Sequence, residues 1–136
     1  MIKLFIKALS VNALWKGKRF KTIRYKQYEQ EVIWNLVNKI CPPILKSEKV
    51  KLVFFLRVGL SSVQADLSNT IKALEDILQI KYEFNDNQTF LIIAEKEIVK
   101  KNEEYIELDF YEYTNADLGE NIRQQFFVKN KKSLTD

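Results

Sequence analysis

The sequence contains no histidine, and this absence excludes several classes of catalytic and metal site. Without imidazole, the chain cannot build a Ser-His-Asp or Cys-His catalytic group, a histidine metal site or a histidine acid–base pair. Any catalysis by this chain must therefore use carboxylates, lysine, tyrosine or a metal ion.

Cysteine is almost as scarce. The single residue, Cys41, cannot form an internal disulfide, and no cluster with metal-ligand spacing surrounds it. We therefore expect a small buried thiol in a reducing compartment. A chain of 136 residues is long enough to bury one hydrophobic core without disulfides or a structural metal, so we expect a single domain.

Long hydrophobic runs are also missing. Lys3 and Lys7 interrupt the apolar start of the chain, which is too short for the core of a signal peptide or for a membrane span. We therefore expect a cytoplasmic protein with no membrane partner.

The charged residues are unevenly distributed. The 22 basic and 18 acidic side chains give a net charge of +4, which permits a polyanionic partner without requiring one. Residues 16–26 contain six basic side chains and no acid, interleaved with aromatic rings, whereas acids concentrate between 95 and 120. This segregation favours a nucleic-acid-binding face. The alternative is a solvated turn whose aromatic rings pack locally, and the sequence favours neither. The candidate DNA-binding residues of this stretch are Lys16, Lys18, Arg19, Lys21 and Arg24.

Hydrophobic periodicity predicts the element order β-α-β-α-β-β. The predicted strands lie at 2–9, 50–58, 89–95 and 105–113, the predicted helices lie at about 23–40 and 65–78, and a loop or loose hairpin is expected at 10–21. The first and third strands have apolar residues on both alternating sets and should be buried on both faces, whereas the fourth alternates as an edge strand does. This order predicts an α/β (α+β) domain over 1–113, with a mixed sheet and two main helices. Residues 114–136 form a C-terminal tail with a possible short helix.

The stretch 65–78 is the one around which the chain is organised. At about 100° per residue, its apolar and polar side chains separate onto different sides of a helix. The apolar stripe consists of Leu67, Ile71, Leu74 and Leu78, and the polar side of Asp66, Asn69, Lys72 and Asp76. The apolar stripe predicts a core contact. Taken alone, the polar side is compatible with a solvated helix face carrying one Lys72–Asp76 pair.

A second polar segment, residues 85–88, comes just before the third strand. Its Asp86 has a simple explanation as a turn residue, and Asp66 has one as a helix N-cap. Only the joint spacing of these two acids, with Asn69 and Lys72 between them, favours an active site.

The order Asp-x-Ser-Asn-x-x-Lys-x-x-x-Asp, followed by an aspartate where a strand starts, resembles the RusA family of Holliday junction resolvases. In that family the helix opens with Asp-x-Asp-Asn-x-x-Lys, and the later aspartate completes a carboxylate cluster that binds magnesium. The matching positions here are Asp66, Asn69, Lys72, Asp76 and Asp86. Ser68 stands where the family has its second carboxylate. The order of elements agrees over about 4–112, and the specific motif spans 66–86.

The resemblance implies a magnesium-dependent endonuclease that cleaves Holliday junctions or other branched DNA and acts as a homodimer. Asp66 and Asp86 would hold Mg²⁺, which accepts one or two carboxylates and keeps several waters. Lys72 would stabilise negative charge on the phosphate or on the leaving oxygen. The supporting residues would be Ser68, Asn69 and Asp76. The Ser-Val-Asn at 10–12 resembles the family's substrate-facing loop and adds Asn12 to the candidate DNA contacts.

Two alternatives stay open. The first is a junction- or duplex-binding protein whose cleavage is lost or weak because Ser68 replaces a carboxylate. The second is a small interaction domain that uses its basic face for another anionic partner. For a homodimer, the candidate contact surfaces are the strand at 105–113 and the apolar residues of the tail, Leu118, Ile122, Phe126 and Phe127.

Overall fold

A computed structural model of the chain describes residues 1–9, 15–16 and 20–113, with residues 15, 16, 20 and 21 described by their backbone only. The elements are β1 Ile2–Leu4, β2 Trp15–Lys16, β3 Phe20–Lys21, α1 Ile23–Leu36, β4 Leu52–Leu60, α2 Leu67–Tyr82, β5 Thr89–Ile98 and β6 Tyr105–Glu112. Short 3₁₀ helices at Pro43–Lys46 and Asp86–Gln88 precede β4 and β5. The fold is α+β, as predicted, with a mixed sheet and two helices.

The four-stranded sheet has the order β1-β6-β4-β5. β6 is antiparallel to both of its neighbours, whereas β4 and β5 are parallel. A parallel pair needs a crossover connection, and α2 supplies it. The chain therefore leaves the end of β4, passes along α2, and returns through the segment that carries Asp86 to the start of β5.

One face of the sheet packs against both helices. The residues of β4 on that face, Leu52, Phe54, Leu56 and Val58, are fully buried. They join one core with the buried residues of the helices, Tyr25, Tyr28, Val32, Leu36, Ala73, Leu74, Ile77 and Leu78. The predicted apolar stripe of α2 is confirmed, with Leu74 and Leu78 buried and Leu67 and Ile71 partly buried at its edge.

The predicted positions of the last two strands in the sheet are wrong. β6 was expected at an edge, but it lies between β1 and β4. Its inward set, Ile106, Leu108 and Phe110, is buried as expected. β5 was expected to be buried on both faces, yet it is an edge strand, and its Phe90 and Ile92 are 55% and 43% exposed. The reason is that alternation reports which face is covered, whereas edge or central position depends on backbone pairing.

The first strand and the first helix are shorter than predicted. β1 ends at Leu4, and the segment through Ala8 alternates between buried and exposed side chains, with Phe5 78% exposed. The expectation of burial on both faces is therefore wrong.

α1 ends at Leu36 because its last turn closes with short-range bonds, the Val37 N–H donating to the Trp34 carbonyl. The apolar Val37 and Ile40, which extend the helical spacing in the sequence, are exposed.

The region of the basic stretch contains a small hairpin, in which β2 and β3 pair antiparallel immediately before α1. This agrees with the expected loose hairpin. Asn12, Lys18 and Arg19 lie outside the described residues, as does the whole of 114–136 with its predicted short helix and dimer contacts.

Three further expectations can be compared with the described residues. β6 pairs with β4 along its whole length but with β1 only over residues 106–108, so β1 covers part of the candidate homodimer surface and the rest of β6 has no described strand on that side. Cys41 is a free thiol, half-buried rather than fully buried, and packs against the core. Across residues 1–9, 15–16 and 20–113, no helix has the length and apolar character needed to span a membrane.

Candidate active site

Asp66 is the N-cap of α2, and its carboxylate is held by the first turn of the helix. Its Oδ1 accepts hydrogen bonds from the backbone N–H and from the hydroxyl of Ser68, both at 3.0 Å. Its Oδ2 accepts one hydrogen bond from the Asn69 side-chain amide at 3.2 Å. An N-cap carboxylate satisfies a free backbone donor and interacts favourably with the helix dipole. The capping role considered from the sequence is therefore real, and Ser68 and Asn69 also fix the direction of the carboxylate.

Lys72 lies between two aspartates on the surface of α2. Its Nζ is 3.0 Å from Oδ1 of Asp76, one turn further along the helix, and 4.0 Å from Oδ2 of Asp86. The hydrogen bond to Asp76 raises the pKa of Lys72, and the charge of Asp86 acts in the same direction. These three polar residues of the sequence motif are thus brought together by the fold.

The turn after α2 brings Asp86 back to the helix. Glu83 caps the end of α2 in the left-handed conformation, with φ 57°, and reverses the chain. The Asn85 side chain then caps the 3₁₀ turn by accepting from the Asn87 N–H at 3.1 Å. Gln88, which is buried, accepts from the Asn85 N–H and donates to the carbonyls of Ser47 and Val50, all at 3.0 Å. This network fixes the turn that presents Asp86.

The proposed site residues fall into two contact groups. Asp66, Ser68 and Asn69 form the first group at the helix start, and Lys72, Asp76 and Asp86 form the second. In the described part of the chain, no hydrogen bond or ion pair joins Asp66 to Lys72 or to Asp86. Nor do any three carboxylate or cysteine side chains of those residues form a group that could hold a metal ion.

Glu75 is a site residue that the sequence analysis missed. Its side chain is buried on α2, beside the second group. Burial raises the pKa of the Glu75 carboxyl, Lys72 opposes this shift, and the charges of Asp86 and Asp76 add to it. A helical projection of the sequence could have predicted the burial of Glu75, because Glu75 lies one turn from the apolar Ile71 and next to the core-facing stripe.

The first helix also comes close to this group. Burial, reinforced by the charges of Glu29 and Asp76, raises the pKa of Tyr25 to about 12. Tyr25 belongs to the buried face of α1, so the packing of α1 against α2 brings this residue near Asp76.

The available donors can be compared with the requirements of magnesium, since a hard cation prefers oxygen ligands. Asp66 Oδ2 accepts a single hydrogen bond and retains a lone pair. The Asp86 side chain is 50% exposed, so ligands can reach it. These donors fit Mg²⁺ bound through one or two carboxylates and water, and they do not form a cage of three acids. When bound, the ion would polarise a phosphoryl oxygen and activate a water.

The candidate DNA-binding residues are only partly described. The backbones of Lys16 and Lys21 lie in the β2–β3 hairpin, and Arg24 is exposed on the first turn of α1. The described members of the basic stretch therefore follow one another through the hairpin into the start of α1.

Comparison of the sequence with protein-family models gives no match, and comparison with curated proteins gives none either. The likeness to the RusA family consequently depends on the residue pattern at 66–86 and on the order of elements. The contacts among those residues carry the functional argument that follows.

Proposed function

We propose that this protein is a magnesium-dependent endonuclease of the RusA type, which cleaves Holliday junctions or other branched DNA. The observation that carries the proposal is the position of Lys72, 3.0 Å from Asp76 and 4.0 Å from Asp86 on an accessible surface. A lysine paired with Asp76 and lying beside Asp86, the one candidate metal ligand in its contact group, has the charges that phosphodiester cleavage requires.

Each residue of the motif has a proposed role. Asp66 and Asp86 hold Mg²⁺, and Ser68 and Asn69 orient the Asp66 carboxylate through the hydrogen bonds that they donate to it. Lys72 neutralises charge that develops on the phosphate, and Asp76 keeps the lysine side chain extended along the helix.

The hairpin and the start of α1 supply the proposed DNA contacts. In this proposal, the basic side chains of residues 16–24 and Asn12 contact backbone phosphates. These contacts position a duplex arm without reading its sequence. We place this activity in the cytoplasm.

A homodimer is part of the proposal, because symmetric resolution of a four-way junction requires two cuts and one chain carries one site. A two-fold pair of chains supplies both sites at a fixed separation. The preferred contact is the tail at 114–136, and the part of β6 that β1 does not cover is the second proposed contact. Sedimentation at micromolar protein should give twice the mass of the chain.

Incubation with labelled DNA tests the proposed activity. We expect nicks near the centre of a synthetic four-way junction when Mg²⁺ is present. A linear duplex of the same sequence, and the junction in the presence of EDTA, should stay intact. Equal cleavage of junction and linear duplex would reject the branched-DNA assignment, and no cleavage at any magnesium concentration would reject the nuclease.

A junction-binding protein without cleavage is the second candidate. The observation that favours it is that Ser68 stands at the position of a family carboxylate and uses its hydroxyl to donate to Asp66, which leaves two acids as candidate metal ligands. This candidate predicts retained junction binding and no nicking under every metal condition.

A further inference from the structure

Lys96 projects from the edge strand β5 onto the loop that leads into α2. Its Nζ donates hydrogen bonds to the carbonyl oxygens of Val63 and Ala65, both at 2.9 Å. Hydrogen bonds from a charged donor are shorter and stronger than neutral ones. Ala65 is the residue immediately before Asp66, so Lys96 fixes the main chain next to the proposed metal ligand.

The Lys96 side chain lies against a loop of its own chain. Charged residues on an edge strand discourage pairing with other strands, but that role does not require these two hydrogen bonds. Lys96 is only partly exposed and gives two of its three N–H groups to one loop. In this loop Val63 and Gln64 are exposed, whereas Ala65 packs against the core.

We propose that Lys96 is a positioning residue for the Asp66 carboxylate. Lys96 holds the loop carbonyls, the loop sets the backbone of Asp66, and the contacts of Asp66 with Ser68 and Asn69 set the direction of its oxygens. This inference rests on the proposed magnesium-dependent cleavage. It adds a residue that lies outside the 66–86 motif and on a different element of the fold.

A small displacement of Asp66 should have a large effect on the proposed cleavage. Misplacement of a catalytic group by about 1 Å can reduce a rate by about 100-fold. Residues that orient metal ligands typically change metal affinity or activity by about 10- to 100-fold when they are removed. Loss of Lys96 should therefore weaken magnesium use while the core, which Lys96 does not contact, stays intact.

The test compares three substitutions in the full chain. Lys96→Met keeps the length of the aliphatic side chain and removes the donors. Lys96→Arg keeps a charged donor group. Lys101→Met, in the exposed turn between β5 and β6, removes the same charge without touching the loop. We expect Lys96→Met to raise the magnesium concentration for half-maximal junction nicking by about 10-fold, Lys96→Arg to restore most of the loss, and Lys101→Met to match the wild type.

Amide hydrogen exchange supplies a readout that does not depend on nuclease activity. The Ser68 N–H donates a hydrogen bond to Asp66, so it should exchange faster in Lys96→Met than in Lys101→Met. Core amides of β4 should be unaffected in both variants.

The two readouts separate the two proposals. If the wild type never nicks DNA but Ser68 exchange accelerates in Lys96→Met, the nuclease is wrong and the positioning contact stands. If the wild type nicks DNA and Lys96→Met matches Lys101→Met in both magnesium dependence and exchange, Lys96 has no positioning role.

Discussion

The ammonium of Lys72 lies 4.0 Å from a carboxylate oxygen of Asp86, across the turn that connects α2 with β5. α2 continues to Tyr82 before the chain reverses, so this contact exists only because the Glu83 cap and the Asn85 turn fold the segment back along the helix. An exposed ion pair of this kind contributes little to stability. We therefore expect this contact to matter for function more than for stability.

Replacing Asp66 with asparagine separates capping from metal binding. Asparagine caps helices about as well as aspartate, so the free energy of unfolding should change by less than about 1 kcal/mol. Magnesium-dependent nicking should nevertheless disappear, because the charged ligand is gone. Thermal denaturation and junction cleavage measure the two effects. As the control, Asp66→Ala should lose both the cap, at about 1 kcal/mol, and the activity. Nicking by Asp66→Asn at the wild-type rate would show that Asp66 acts only as a helix N-cap.

Ser68→Asp should couple stability to magnesium. The new carboxylate replaces a hydroxyl that donates to Asp66 at 3.0 Å, so two acids will repel each other without metal. The melting temperature should fall below that of the wild type in EDTA and rise more than that of the wild type when Mg²⁺ is added. The magnesium concentration for half-maximal nicking should fall as well. Equal magnesium responses in variant and wild type would show that residue 68 points away from the ion.

Glu75 should make the stability of the wild type depend on pH. Because burial raises its pKa above the ordinary 4.5, the folded protein holds this proton to higher pH than the unfolded chain does. Stability is therefore lost as the pH rises from 4.5 through the folded pKa. Glu75→Gln should melt above the wild type at neutral pH, and the difference should shrink toward pH 4.5. The exposed Glu103→Gln is the matched control. A difference that is constant with pH would contradict this account.

Neutralising Lys18, Arg19 and Lys21 together should weaken junction binding and flatten its salt dependence. Each lost phosphate contact should reduce the slope of log K against log salt by about 0.9. Preference among DNA sequences should barely change, since phosphate contacts position and do not specify. Fluorescence anisotropy over a salt series measures both. Neutralising Lys49, Lys100 and Lys101, which are exposed elsewhere, controls for total charge. Identical slopes in both triple variants would show that Lys18, Arg19 and Lys21 do not contact DNA phosphates.

The sequence predicted those features of the fold that depend on local periodicity. The core stripe of α2 and the alternation of β6 follow from repeats of about four and two residues, which side chains record directly. Whether β5 or β6 occupies the edge depends on backbone pairing between distant segments, which no local pattern records. The end of α1 was missed for a related reason, since Val37 and Ile40 keep the helical spacing although the core no longer extends to them.

The candidate site was predictable to the same degree. The helix placed Asp66, Asn69 and Lys72 on one side, as their spacing indicated. Asp66 bonds to Asn69, whereas Lys72 bonds to Asp76. The spacing of residues in the sequence does not predict which of these side chains pair. Lys96 was missed because its contact with Ala65 depends on the parallel pairing of β4 and β5, which brings two distant segments together.

The most direct test of the account is single-turnover nicking of a four-way junction by Lys72→Met and Asp86→Asn. The Lys72–Asp76 pair contributes only about 0.2–0.5 kcal/mol to the helix, and the exposed Lys72–Asp86 pair contributes little, so both variants should melt close to the wild type. Lys81→Met, on the last turn of the same helix, is the control for the lysine substitution. We predict that Lys72→Met slows nicking by about 100-fold or more, that Asp86→Asn abolishes it, and that Lys81→Met leaves it unchanged. Wild-type nicking by both Lys72→Met and Asp86→Asn would contradict the proposed active site.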